Sequence, residues 1–67
     1  MSPREVHLLA ERIRGEFLEM PGLHLTVAQA SRLWGLDDQV CRRIVDSLVE
    51  KEFLYWPRTG VFARASA

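Results

Sequence analysis

Arginine dominates the basic side chains of this chain, and it is the residue best suited to bind phosphate. Eight of the nine basic residues are Arg, and nine acidic residues balance them. A guanidinium presents planar paired donors that match phosphate oxygens and guanine edges, which a Lys ammonium cannot do. Zero net charge, however, removes any overall attraction to a polyanion. Composition therefore leaves nucleic-acid binding open.

Residues for catalysis or metal binding are sparse. Cys41 is the only cysteine, and His7 and His24 are the only histidines. No disulfide can form within the chain, and these residues lack metal-ligand spacing. There is also no nucleophilic side chain with a general base at a suitable spacing, and no Gly-rich phosphate loop. We expect no enzyme, no cofactor, no bound metal and a structural thiol at Cys41.

Two adjacent aromatic residues, Tyr55 and Trp56, stand in a predicted β-hairpin with strands at 53–56 and 61–64. Successive strand residues point to opposite faces, so at least one ring should face water. Three interpretations stay open: packing into a small core, a protein interface, or stacking on bases.

Capping signals place three helices. Ser2, Pro3 and Glu5 predict a first helix over 3–18, and Leu8 and Leu18 lie beside its apolar stripe of Val6, Leu9, Ile13 and Phe17. Thr26 and Gln29 form a capping box for a second helix over 27–34 that ends at Gly35. Its predicted inner face is Val27, Ala30 and Leu33, with Trp34 partly buried against the first helix.

A short link leads to the third helix, predicted over 38–51 with Asp37 as its N-cap. Two helices joined so closely, the first ending in Gly, form a helix-turn-helix. With a short strand at 23–25 and the hairpin, the order is helix, strand, helix, helix, strand, strand. This predicts a mainly α, α+β winged helix-turn-helix, as one domain over 1–64 with a frayed tail at 65–67. No apolar run reaches membrane-spanning length, so we expect a cytoplasmic protein.

Two stretches resemble bacterial winged helix-turn-helix regulators of the MarR-like group. Residues 25–36, LTVAQASRLWGL, resemble the opening of their helix-turn-helix, and residues 41–54, CRRIVDSLVEKEFL, resemble their recognition helix and first wing strand. The resemblance spans residues 23–64. It implies a small bacterial DNA-binding protein that regulates transcription, with the third helix in the major groove and the hairpin as wing.

The resemblance also implies roles for individual residues. Carried over by position, the third helix contributes base or phosphate contacts and the wing touches the backbone. The implied DNA-binding residues are Thr26, Arg32, Gln39, Arg42, Arg43, Arg58 and Arg64. Related regulators pair through flanking helices, so we expect a homodimer through the first helix, with Leu8 and Leu18 at the interface.

Some residues favour a different use of the same fold. Asp37 and Asp38 bring negative charge to the helix end that would approach phosphate. Glu52 stands where Gly is usual, and Arg42 has Asp38 and Asp46 at pairing distance along the helix. The alternative is a protein-interaction module that uses Tyr55 and Trp56 of the wing or the first helix.

Overall fold

The computed structural model describes residues 2–65, which form three helices and a three-stranded antiparallel sheet. The chain is therefore α+β and mainly α, in the predicted order and with a layout compatible with a winged helix. The elements are α1 (Pro3–Glu19), β1 (His24–Thr26), α2 (Val27–Trp34), α3 (Asp38–Glu50), β2 (Leu54–Arg58) and β3 (Val61–Arg64).

Each helix begins at the predicted cap. The Ser2 hydroxyl accepts from the Glu5 backbone N–H at 3.2 Å, and Asp37 accepts from that of Gln39 at 2.7 Å. Thr26 and Gln29 complete both bonds of a capping box at 3.0 Å. These bonds satisfy backbone donors that the first helical turn leaves free.

The turn between α2 and α3 depends on a left-handed glycine. Gly35 has φ 64°, and the N–H of Leu36 donates back to the Ser31 carbonyl at 2.9 Å. This closes α2 and lets α3 start after only a few residues.

The inner face of α2 differs from the prediction. Leu33 is 62% exposed, whereas Trp34 is only 7% exposed and its ring lies 6.4 Å from that of Phe62. Ser31 is buried as well. Helical periodicity places Ala30, Ser31 and Trp34 on one side of so short a helix and Leu33 on the other.

In the sheet, β3 lies between β1 and β2. Thr26 pairs with Val61, and Leu54 pairs with Arg64. The hairpin is longer than predicted, because Arg58 already pairs with Val61 and the turn is reduced to Thr59 and Gly60. Gly60 takes φ 78°, which few other residues adopt.

Three helices and the sheet share one core. Phe17, Ile44 and Phe62 are fully buried at its centre, and the Phe17 and Phe62 rings lie 5.7 Å apart. The predicted tail begins at Ala65, whose N–H donates to the Phe53 carbonyl at 2.9 Å. Ser66 and Ala67, the rest of that tail, lie outside the described residues.

Candidate nucleic-acid interface

Arg42 and Arg43 are both exposed on α3 but face different neighbours. The Arg42 guanidinium carbon lies 5.5 Å from the centre of the Trp56 ring, toward the hairpin. Arg43 instead borders a shallow depression shared with Val6 of α1, together with Gln39 and Val40. Consecutive helical residues are 100° apart around the axis, so the two arginines flank the exposed face of α3 instead of forming one patch.

Neither arginine forms an ion pair with a carboxylate among the described residues. Among residues 2–65 the one ion pair joins Glu11 and Arg14, at 3.8 Å on exposed α1. The alternative in which Arg42 pairs with Asp38 or Asp46 is therefore not what the structure shows. The Arg42 guanidinium instead lies over the Trp56 ring, in cation–π contact.

The exposed face between the arginines carries neutral and acidic side chains. Gln39 is exposed near the start of α3, and Asp46 and Glu50 follow it at helical spacing on the same side. Asp37 is occupied as the helix cap, whereas Asp38 is exposed beside it. Attraction for a polyanion on α3 thus comes from the two arginines on its flanks, whereas the face between them carries neutral Gln39 and, farther along, acidic groups.

A β-bulge orients Trp56. Tyr55 pairs with Ala63 and Arg58 with Val61, so β2 fits one extra residue into this interval. Trp56 and Pro57 therefore stand opposite Phe62, and the Trp56 ring meets the Phe62 ring edge-on, at 5.7 Å and 78°. Trp56 is half-buried, whereas Tyr55 is 44% exposed. One ring supports the core and the other faces water.

The hairpin tip is fastened to the body of the protein. The Val27 N–H at the start of α2 donates to the Gly60 carbonyl at 3.3 Å, and β1 pairs along β3 as far as Val61. The tip therefore projects little beyond the sheet. It brings exposed Arg58 to the same end of the sheet as Thr26, whose hydroxyl is engaged in the α2 cap.

Arg58 and Arg64 lie at opposite ends of the hairpin. Val61 and Arg64 are three residues apart on β3, which corresponds to about 10 Å. Arg64 is half-buried at the base, with its guanidinium carbon 5.9 Å from the Phe53 ring centre. The Arg14 guanidinium carbon lies 5.3 Å from the same centre. Arg64 thus packs toward α1 and is not grouped with Arg58.

The other predicted site residues lie at the surface. Arg32 is exposed on α2, next to exposed Leu33. On α1, Leu8 is 58% exposed and Leu18 is 49% exposed. Neither leucine belongs to the buried side of α1 formed by Ala10, Ile13 and Phe17.

A groove of about 250 Å³ separates α1 from the end of α3. Its floor is apolar and includes Leu48 and Phe53, and its rim carries charges of both signs, such as Arg14 and Glu52. No set of three metal-ligating side chains occurs among residues 2–65. Cys41 is fully buried, and burial raises the pKa of its thiol, with the Asp38 charge adding to the shift.

Comparison with known proteins gives no relative. No family model matches the chain, and neither a curated protein nor a solved structure is significantly similar to it. Within the part of the chain that the structure describes, no helix is both long and apolar enough to cross a bilayer.

Proposed function

We propose that the protein is a winged-helix module that binds double-stranded DNA, as a transcriptional regulator or another DNA-associated factor. The observation that carries the proposal is the contact between Arg42 and Trp56. It holds an unpaired guanidinium at the junction of α3 and the hairpin, where a helix in the major groove and its wing would meet the phosphate backbone.

The polar residues divide into two groups under this proposal. Gln39 and Arg43 are exposed in the first half of α3 and would approach base edges, where Gln suits adenine and Arg suits guanine. Arg42 and Arg58 would contact phosphates on either side of the groove. Thr26 is half-exposed and Arg32 is exposed, and in the same arrangement both would lie near the DNA backbone.

The short hairpin limits what the wing contributes. Its tip is bonded to the start of α2 and projects little. Arg58 is the one basic side chain at the tip. Arg64, half-buried against Phe53, would add charge from a distance only. We therefore assign most of the affinity to α3.

The carboxylates of α3 limit the affinity for DNA that we expect. Asp38, Asp46 and Glu50 are exposed on the helix that would enter the groove. Like charges at these distances oppose binding, so we expect weak affinity. The contacts between arginine and phosphate make this affinity fall as salt is raised.

The test is fluorescence anisotropy with a labelled random-sequence duplex at low salt. We expect Arg42→Gln and Arg43→Gln each to weaken binding several-fold, and Arg42→Gln, which removes a phosphate contact, also to reduce the salt dependence by about one such contact. Lys51→Gln is the matched control, because it removes one positive charge from the C-cap of the same helix. No binding by the unmodified protein would refute DNA binding, and equal affinities for the unmodified protein and all three variants would refute the interface on α3.

A second candidate is a protein-interaction module that uses the hairpin. Tyr55 is 44% exposed on β2, and exposed Tyr is a favoured anchor in protein interfaces. This use predicts self-association that Tyr55→Ser abolishes without changing the melting temperature. Sedimentation that is identical for the two proteins would remove the support for it.

A further inference from the structure

The face of α1 turned away from the core contains features that the single chain does not explain. Arg4, Leu8, Gly15 and Glu19 follow one another at spacings of four, seven and four, which keeps them on one side of a helix. Ile13 and Phe17 are buried on the opposite side. These four residues form a line along α1, the outer line.

Gly15 is a costly residue in the middle of a 17-residue helix. Gly destabilises a helix interior by about 1 kcal/mol relative to Ala. A side chain at this position would meet nothing within 4 Å, so no contact within the chain requires a glycine. Gly15 is itself half-buried, and a glycine on the outer side of a helix permits close approach by another helix.

The end charges of the outer line oppose the dipole of their own helix. Arg4 lies in the first turn, where negative charge is favoured, and Glu19 is the last residue of α1, where positive charge is favoured. Neither has an ion-pair partner among residues 2–65. For a second helix running in the opposite direction, both charges are favourably placed.

We propose that the outer line is the contact surface for a second copy of this chain, with the two α1 helices packed antiparallel. A twofold axis between residues 11 and 12 brings Arg4 opposite the partner copy's Glu19, and Leu8 opposite its Gly15. The exposed leucine then fills the space that the glycine leaves. Each contact occurs twice, as twofold symmetry requires.

Two residues beside the outer line are compatible with this packing. Glu11 lies beside the outer line, and its charge is balanced by Arg14 of its own helix at 3.8 Å. Leu18, 49% exposed, lies on the flank and extends the apolar contact. The contact between two helices about 25 Å long is small, so we expect a dimer in the micromolar range or weaker.

The charge contacts are tested by sedimentation equilibrium from about 1 µM to 1 mM. We expect the unmodified protein to dimerise, Arg4→Glu and Glu19→Arg each to weaken the dimer at least tenfold, and the double variant to regain it. Both single changes improve the charge at their own helix end, so dissociation cannot come from loss of α1. A monomer throughout, or a double variant no better than the single ones, overturns the proposal.

The glycine contact is tested by replacing Gly15. Gly15→Gln should raise the melting temperature of the monomer, because Gln favours helix, and should weaken the dimer at least tenfold. A Gly15→Gln protein that dimerises like the unmodified one overturns the antiparallel packing. So does a dimer that is lost in Tyr55→Ser but kept in Arg4→Glu. DNA affinity is measured separately, so either proposal can fail without the other.

Discussion

The Arg42 guanidinium carbon lies 5.5 Å from the centre of the Trp56 ring, so α3 and the hairpin meet through a cation above an aromatic face. The same ring meets buried Phe62 with its edge, 5.7 Å between centres. Trp56 therefore connects an exposed charge to the core.

We expect this contact to contribute measurably to stability. In a double-mutant cycle of Arg42→Ala and Trp56→Leu, the coupling should be about 0.5–1 kcal/mol, the usual range for an exposed cation and ring. Urea unfolding of the four proteins measures it. Arg43→Ala with Trp56→Leu is the control cycle, and a coupling as large there would assign the effect to general charge instead of this contact.

Glu52 occupies a backbone conformation that suits glycine. Its φ is 61°, at the point where α3 ends and the Phe53 N–H donates to the Leu48 carbonyl at 3.0 Å. We expect Glu52→Gly to stabilise the fold by about 0.5–1 kcal/mol. Lys51→Gly, at φ −83°, should instead destabilise it by a similar amount. Equal melting temperatures for the two variants would contradict this account.

Leu33 and Leu48 should respond differently to truncation. Leu48 is 4% exposed, and Leu48→Ala should cost about 2–4 kcal/mol through lost burial and the cavity left behind. Leu33 is 62% exposed, and Leu33→Ala should change the free energy of unfolding by less than about 0.5 kcal/mol. A large loss in Leu33→Ala would show that Leu33 is buried in solution.

Because Cys41 is buried, the stability of the fold should change with pH in the alkaline range. The thiol pKa is raised above 9.0 in the folded state, so the unfolded chain releases the thiol proton first as pH rises. The stabilising effect is complete below about pH 8 and declines as pH rises past the unfolded pKa. The stability difference between the unmodified protein and Cys41→Ala should therefore shrink from pH 8 to 10. A constant difference would show that the folded thiol titrates normally.

Local signals in the sequence predicted the elements, because caps act over three or four residues. Ser2, Thr26, Gly35 and Asp37 act within one turn, and each is found in its expected role. The order of the three helices follows from them. Strand bounds were less accurate, since the β-bulge at Trp56 depends on the contact with Phe62, which no local pattern contains.

The candidate site could be predicted only in part. Arg42 and Arg43 are adjacent in sequence, but which neighbours they meet depends on how α3 packs between α1 and the hairpin. The choice of Trp34 over Leu33 for the core depends on Phe62, about thirty residues away. An eight-residue helix is too short for periodicity alone to select its inner face.

The central position of β3 bears on when the protein can fold. A growing chain that ends before Val61 has no partner for either β1 or β2 and lacks Phe62 at the centre of the core. Local turns of helix can form earlier, but the contacts of β1 with β3 and of α1 with α3 join segments distant in sequence and come last. We expect the sheet and core to form together, only after the final strand has been synthesised.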